Sequence, residues 1–220
     1  PHMIDPSKLQ AGAIGVYGEE AFMRDFGELI AIPEGRTLAA SDQQTFELGG
    51  RRLQFIDTPG HANHHGCFFD HQSGYLYTGD TFGLGYSQFR QGREPLLVAT
   101  TTPVAFDPDA WHHSLDRMLA LAPQACCLTH YGKIEHPEQR VDMLRSSIQA
   151  HVDIALEEEQ RDPEGREARL KQAVDRLLVD AGCAHSDLGP DQVRHIFESD
   201  IDLNAQGLNI WLIRRAKKRA

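Results

Sequence analysis

The chain changes its hydrophobic pattern near residue 137, and this change limits the folds that it can adopt. Up to about residue 132, short strand-like runs alternate with glycine-rich turns and a few helical stretches. From residue 137 onward, apolar residues recur at helical spacing, beginning with Val141, Leu144, Ile148, Val152 and Leu156. We therefore predict an α/β fold in which residues 1–136 form a strand-containing domain and residues 137–220 form an all-helical C-terminal extension.

Three runs in the first part have the length and composition of β-strands: 52–57, 66–70 and 75–78. In the first run, Leu53 and Phe55 alternate with polar neighbours, as on a strand that has two different faces. A four-residue turn, which ends in glycine, joins the second and third runs. This arrangement predicts a β-hairpin in an antiparallel part of a sheet.

A helix and a fourth strand are predicted after the hairpin. Asp107 and Pro108 are suited to the N-cap and the first position of a helix, and apolar residues then recur at helical spacing up to Pro123. The short apolar run 124–129 follows directly and is bounded by Pro123 and by His130-Tyr131-Gly132. It is typical of a buried strand whose end faces a loop.

Composition narrows the class of protein. At 220 residues the chain is long enough for one sizeable core, and its formal net charge of −10 disfavours binding to nucleic acid or to an anionic membrane. The basic run 214–219 ends a helical pattern, where cations complement the helix dipole. Four cysteines do not make a disulfide framework, and no run is typical of a transmembrane helix or a signal peptide. We therefore expect a cytoplasmic protein, whether Pro1-His2-Met3 is native or a cloning remnant.

Metal-binding residue types follow three of the predicted strands. A rigid Pro59-Gly60 turn fixes the direction in which His61 leaves the sheet. Asp80 follows Thr78-Gly79, and His130 follows the last predicted strand. One such residue alone is usually structural. Two imidazoles and one carboxylate from three strand ends, however, form a ligand set suited to zinc, iron or manganese.

These segments resemble the later metal-binding motifs of the metallo-β-lactamase superfamily, in particular those of glyoxalase II and the lactonases. The resemblance runs from about residue 45 to 135 and is carried, in order and spacing, by Asp57-Thr58-Pro59-Gly60-His61, Tyr77-Thr78-Gly79-Asp80-Thr81 and Thr129-His130-Tyr131-Gly132. It implies the αββα sandwich of that superfamily, of which this chain supplies mainly the second half. Thr100-Thr101-Thr102-Pro103 and Leu203-Asn204-Ala205-Gln206-Gly207-Leu208 are similar to a less-characterised branch of the same superfamily.

The resemblance also implies a role for each ligand. By position, His61 matches a ligand of the first metal ion, Asp80 the carboxylate that bridges both ions, and His130 a ligand of the second. Zinc is the implied cofactor, two ions per intact site, with iron or manganese as alternatives. The implied reaction is hydrolysis of a small-molecule ester, thioester or lactone by a metal-bound hydroxide, in which Asp80 is the catalytic residue.

Other residues near these motifs receive lesser roles. His65 matches a supporting histidine beside the ligands, whereas His64 and His71 are expected to be structural. In the loop that follows Asp80, the candidate wall residues of a substrate site are Tyr86, Phe89 and Arg90.

The chain departs from the resemblance at its beginning. The His-x-His-x-Asp-His run that supplies further ligands in those enzymes has no counterpart here, and His2 is the one early histidine. Either the sequence begins inside a longer protein or the chain has lost its first half. Each metal then keeps one histidine and the shared Asp80, whereas stable zinc sites use three or four ligands. We expect this chain by itself to be poorly metallated and to need a second copy, as a homodimer, or a missing N-terminal half.

Three alternatives remain open. Iron-containing members of the superfamily oxidise persulfides or bind oxygen with much the same ligands, and ligand type does not separate iron from zinc. The chain can also be a truncated, non-catalytic member that serves as a partner protein. A nuclease of the same fold is the third alternative, and the acidic charge and the missing basic insertion argue against it.

Overall fold

A six-stranded sheet organises the structure, a computed structural model that describes residues 2–89, 95–101, 105–130 and 132–219. The strands lie across the sheet in chain order: β1 (Thr45–Leu48), β2 (Arg51–Asp57), β3 (Gly66–Asp70), β4 (Tyr75–Gly79), β5 (Ala125–Leu128) and β6 (Gly132–Glu135). Neighbouring strands pair antiparallel except β4 and β5, which are parallel. The predicted hairpin is confirmed as β3 and β4, and its turn is closed by a 2.8 Å hydrogen bond from the Gly74 N–H to the Asp70 carbonyl.

Helices account for most of the remaining described residues. They are α1 (Ser7–Tyr17), α2 (Glu19–Asp25), α3 (Pro108–Ala120), α4 (Val141–Glu159), α5 (Arg166–His185), α6 (Pro190–Ile196) and α7 (Glu198–Arg219). The connection from β4 to β5 contains α3, as a parallel strand pair requires a crossover. The α/β class and the helical C-terminal part predicted from the sequence are confirmed.

The chain divides into two compact units, Pro1–Ala40 and Ser41–Ala220. The first contains α1 and α2, and within it the ring of Phe22 lies 5.4 Å from that of Phe26. The second contains the sheet and the other helices, so the strand-rich and helix-rich parts of residues 41–220 form one compact unit. The domain boundary proposed between residues 136 and 137 stays a prediction.

The hydrophobic core lies on one face of the sheet. Side chains from five strands point into it, namely Ile56, Cys67, Leu76, Cys126 and Ile134. Helix α3 begins as predicted, since the Asp107 side chain accepts a 3.1 Å hydrogen bond from the Ala110 N–H, and it buries Trp111, Leu115 and Met118. Residues of α4, α5 and α7 complete the same core.

The opposite face of the sheet carries a row of aromatic residues. The strand register aligns Phe55 with Phe68 and Phe68 with Tyr77 across three neighbouring strands. Phe68 and Tyr77 remain 38% and 48% exposed. In the described parts of the chain, no helix combines the length and the apolar character needed to cross a bilayer.

Candidate metal centre

The sheet topology brings the three predicted ligands to one edge. Strand β2 is antiparallel to β3, β3 is antiparallel to β4, and β4 is parallel to β5, so β2, β4 and β5 run in the same direction. His61, Asp80 and His130 each follow the carboxyl end of one of these strands. The three side chains therefore leave the sheet at the same edge.

The two imidazoles face opposite oxygens of one carboxylate. His61 Nε2 lies 3.7 Å from Asp80 Oδ2, and His130 Nε2 lies 3.7 Å from Asp80 Oδ1. Asp80 Oδ1 is buried and has no hydrogen-bond partner among the described residues, so it is an acceptor that a bound cation would satisfy. Among the residues that the structure describes, however, no three His, Cys, Asp or Glu side chains form a group arranged to hold a metal ion. His61, Asp80 and His130 thus lie together, but among the described residues they do not make a complete ligand group.

His61 is held in one orientation. Its side chain is buried, 7% exposed, and its ring lies edge to face against Trp111 at 5.8 Å. Nδ1 lies 2.7 Å from the carbonyl oxygen of Thr100, and a carbonyl only accepts, so Nδ1 carries the proton. Nε2 is then the nitrogen with a lone pair, and it is the one that faces Asp80. Burial lowers the pKa of His61, which keeps the ring neutral.

The turn before His61 depends on close contact with α3. Gly60 has a φ of +138°, and a Cβ there would lie 2.3 Å from Trp111 Cα. Helix α3 also binds the turn through Ser114 Oγ, which donates to the Pro59 carbonyl at 2.6 Å. The Asp107 N–H donates to the Gly60 carbonyl at 2.9 Å. The sequence Pro59-Gly60 thus allows the helix to approach the loop that presents His61.

His65 uses both ring nitrogens inside the protein. The backbone N–H of Asp80 donates to Nε2 at 3.2 Å, which makes Nδ1 the protonated nitrogen. Nδ1 lies 2.9 Å from Thr81 Oγ1, and burial lowers the pKa of His65 to about 4. Gly79 makes this contact possible, because a Cβ there would lie 2.3 Å from the His65 ring. His65 thus holds the backbone N–H of Asp80. The supporting role that the resemblance implies for His65 stays a prediction.

The other histidines of this region lie in different surroundings. His130 is the more open of the two ligand candidates, with a side chain 51% exposed, and its carbonyl accepts from the Gly85 N–H at 3.4 Å. His64 is exposed. His71 lies in the hairpin turn, where Nε2 is 3.1 Å from Gln54 Oε1, so it belongs to the sheet rather than to the site.

The three candidate wall residues differ in where they lie. The Tyr86 hydroxyl donates to Asp200 Oδ2 of α7 at 2.5 Å. Tyr86 lies close to His130, because the N–H of the residue before it, Gly85, donates to the His130 carbonyl. Phe89 is fully buried in the core and stacks on Phe197 at 5.1 Å. Arg90 lies outside the described residues, as do Thr102, Pro103 and Tyr131 of the motifs.

Asp200 is a further candidate residue of this region that the sequence did not predict. It is 6% exposed, burial raises its pKa, and both His130 and Asp80 act on it electrostatically. It occupies an inward position of α7, four residues before the buried Asn204 and eight before Leu208. A polar residue repeated at inward positions of an apolar helix stripe is the signal that would have found it.

Comparison with known proteins identifies the superfamily of this chain. Residues 7–130 match the model of the metallo-beta-lactamase superfamily. The chain is 30% identical over 129 residues to the metallo-beta-lactamase fold-containing protein ST1585 of Sulfurisphaera tokodaii, an alignment that covers 56% of this chain and 45% of that protein. The chain therefore spans about half the length of the curated relative that it matches.

Solved structures share the fold. The crystal structure of ST1585, from Sulfolobus tokodaii, aligns with a TM-score of 0.55 at 24% identity over 91% of this chain and 62% of that one. The metallo-beta-lactamase family protein TTHA1429 from Thermus thermophilus aligns with a TM-score of 0.51 at 19% identity, over 99% of this chain and 62% of that one. The family model matches more than half of this chain, and the chain therefore belongs to the metallo-beta-lactamase superfamily.

Proposed function

We propose that this chain is part of a metal-dependent hydrolase that cleaves an ester, thioester or lactone. One observation carries the proposal: His61 and His130 turn their Nε2 atoms toward opposite oxygens of Asp80, each at 3.7 Å. A carboxylate placed between two imidazoles offers oxygen and nitrogen donors to a divalent metal. In this proposal His61, Asp80 and His130 would hold the metal.

The donor set supports a divalent metal. Neutral imidazole nitrogen and carboxylate oxygen are ligands for zinc, and equally for iron and manganese. The buried Asp80 Oδ1 supports it as well, because it accepts no hydrogen bond from the described residues and such a carboxylate oxygen is costly unless a cation binds it. Further ligands are needed beyond these three, since zinc sites use three or four per ion. When bound, the metal supplies a Lewis acid and lowers the pKa of a bound water to roughly 7.

The protein's own residues prepare this site. The Thr100 carbonyl fixes the proton of His61 on Nδ1, so Nε2 keeps its lone pair toward Asp80. Burial keeps His61 neutral, as a ligand must be. His65 holds the backbone N–H of Asp80 and restricts where the carboxylate points. Trp111 excludes water from one side of His61, since its ring lies against the imidazole and is itself fully buried.

The test uses the natural gene product, purified without added metal. Its metal content is measured by mass spectrometry, and turnover is measured on an aryl ester, a thioester and a lactone with zinc, manganese or iron restored. Asp80→Ala is expected to lower turnover by roughly 10³-fold or more, because it removes the carboxylate ligand of the metal. His71→Ala is the matched control, since His71 contacts Gln54 of the sheet and not the site.

Two results would contradict the proposal. Asp80→Ala with wild-type turnover would remove the carboxylate from the reaction. Protein that holds iron, has an optical iron spectrum and hydrolyses none of the three substrates would support the redox alternative instead.

A further inference from the structure

Helix α7 reaches the segment that orients His61. The Thr100 carbonyl accepts from His61 Nδ1, and the next residue, Thr101, is fully buried. The Thr101 N–H donates to Asn204 Oδ1 at 2.5 Å. The Thr101 hydroxyl lies 2.9 Å from Asn204 Oδ1 and 3.1 Å from the Asn204 carbonyl. One asparagine of α7 therefore fixes the residue beside the carbonyl that holds a predicted metal ligand.

The helix comes so close to this segment because Gly207 faces it. A Cβ at Gly207 would lie 2.6 Å from Thr101 Oγ1 and 2.7 Å from the Thr101 carbonyl oxygen. Asn204 and Gly207 are three residues apart and share one face of the helix. Any larger residue at 207 would push the helix and the segment apart.

Asn204 is not explained by packing alone. It is fully buried, and its Nδ2 has no hydrogen-bond partner among the described residues. Burying an amide with an unpaired donor costs free energy, which an apolar residue at this inward position would avoid. The acceptor atoms of Asn204 are the ones in use, and both bind Thr101. The polar side chain therefore serves the segment that contains Thr100.

We propose that Asn204 is a positioning residue for His61. By holding Thr101, it holds the Thr100 carbonyl at the distance that keeps the His61 proton on Nδ1 and leaves Nε2 toward Asp80. Ligand histidines depend on such outer partners for tautomer and orientation. The purpose of this orientation, metal binding, rests on the proposed function. The orientation itself can be tested without a metal.

The first measurement is the tautomer of His61 in metal-free protein. Long-range ¹H–¹⁵N spectra of histidine-labelled protein distinguish the two neutral forms, and His61→Gln assigns the signal among the 12 histidines. Wild type is expected to show the Nδ1–H form. Asn204→Ala and Gly207→Ala are each expected to add the Nε2–H form. Asn209→Ala, which changes an amide of α7 that contacts Glu167, is expected to leave His61 as in wild type.

Gly207→Ala disturbs the same contact without removing the side chain of Asn204. In a helix, alanine is more favourable than glycine, so this variant has no intrinsic reason to unfold α7. A change at His61 in this variant can then be assigned to its contact with Thr101.

Zinc titration of the natural gene product and of the same variants made in it gives the second readout, because this chain by itself is expected to be poorly metallated. Asn204→Ala is expected to weaken zinc binding at His61 by about tenfold, the lower end of the effect of outer partners, because it acts through Thr100. An unchanged His61 tautomer in folded Asn204→Ala and Gly207→Ala would overturn the proposal. If the tautomer changes but zinc shifts neither His61 nor His130 in wild type, the positioning role stands and the proposed metal function fails.

Discussion

His151 links folding to pH through a single buried ring. It lies on α4 and is fully buried, and its Nδ1 is 2.8 Å from the Ser147 carbonyl of the preceding turn. Nε2 has no hydrogen-bond partner among the described residues. Burial lowers the pKa of His151, because a charged ring in this position would lose its hydration without gaining a partner.

We predict that replacing His151 reduces the loss of stability in mild acid. The unfolded chain binds a proton at His151 near pH 6.5, whereas the folded chain does so only at lower pH, so stability falls as pH falls below about 6.5. His151→Leu removes this cost and is expected to be more stable than wild type at pH 5.5 by about 1–2 kcal/mol, with a smaller difference at pH 8. Urea unfolding at both pH values measures it, and exposed His113→Leu is the control. A gain that is equal at both pH values would contradict the prediction.

His65 is expected to matter less than Asp80 but more than a surface histidine. Because it holds the Asp80 N–H and binds no substrate in our proposal, His65→Ala should lower turnover of the metal-loaded protein by about 10–100-fold. Its pKa of about 4 lies below the unfolded value, so the ring stays neutral at pH 6 and its support is lost only as pH falls toward 4. Steady-state kinetics of His65→Ala beside Asp80→Ala checks the order. If His65→Ala is the more damaging, the two roles are wrongly assigned.

At the scale of elements, short sequence motifs predicted the turns and helix starts that they themselves form. The turn that ends in Gly74 predicted the β3–β4 hairpin, and Asp107-Pro108 predicted the start of α3. Strands β1 and β6 were not predicted, because their four residues make no apolar run: β1 buries no side chain and β6 buries one, Ile134. Such short strands form by pairing with a neighbour rather than by their own pattern.

In the candidate site, too, the sequence predicted the positions of the residues but not the long-range contacts between them. His61, Asp80 and His130 follow strand ends that sequence patterns locate, and the strand order then brings them to one edge. The contacts that orient them come from distant parts of the chain: Asp200 reaches Tyr86, and Asn204 reaches Thr101. A sequence separation of about 100 residues leaves no local pattern from which such contacts follow.

The approach of α3 to the turn before His61 gives a prediction for an element contact. Gly60→Ala would place a residue with a Cβ at a φ of +138°, 2.3 Å from Trp111 Cα. It is therefore expected to lower the free energy of unfolding by about 3 kcal/mol or more. Gly49→Ala is the matched control. Gly49 also has a positive φ, +58°, but a Cβ there would meet nothing within 4 Å. A loss of about 1 kcal/mol in the free energy of unfolding is expected. Denaturant unfolding of both variants measures the difference. Equal losses would show that α3 does not restrict the turn.

At the scale of the whole molecule, the two faces of the sheet differ. Ile56, Leu76 and Cys126 are buried against the helices, whereas Phe68 and Tyr77, on the central strands β3 and β4, stay partly exposed on the other side. The Phe68 ring contacts Phe55 at 5.4 Å and Phe46 at 6.4 Å, so the aromatic surface is continuous over β1 to β3. A continuous apolar surface of this kind is usually an interaction surface.

We predict that this 220-residue chain by itself self-associates through the aromatic face. Burying the face against the same face of a second copy removes apolar area from water on both chains, which favours association. Light scattering is expected to give a mass above 24.6 kDa that rises with concentration. The double variant Phe68→Thr and Tyr77→Thr should return the mass toward 24.6 kDa with little loss of stability, because threonine suits a strand and both side chains are partly exposed. Ile213→Lys, at an exposed position of α7, is the control and should not change the mass. A wild-type chain that stays at the monomer mass at every concentration would show that the face does not bind a second copy.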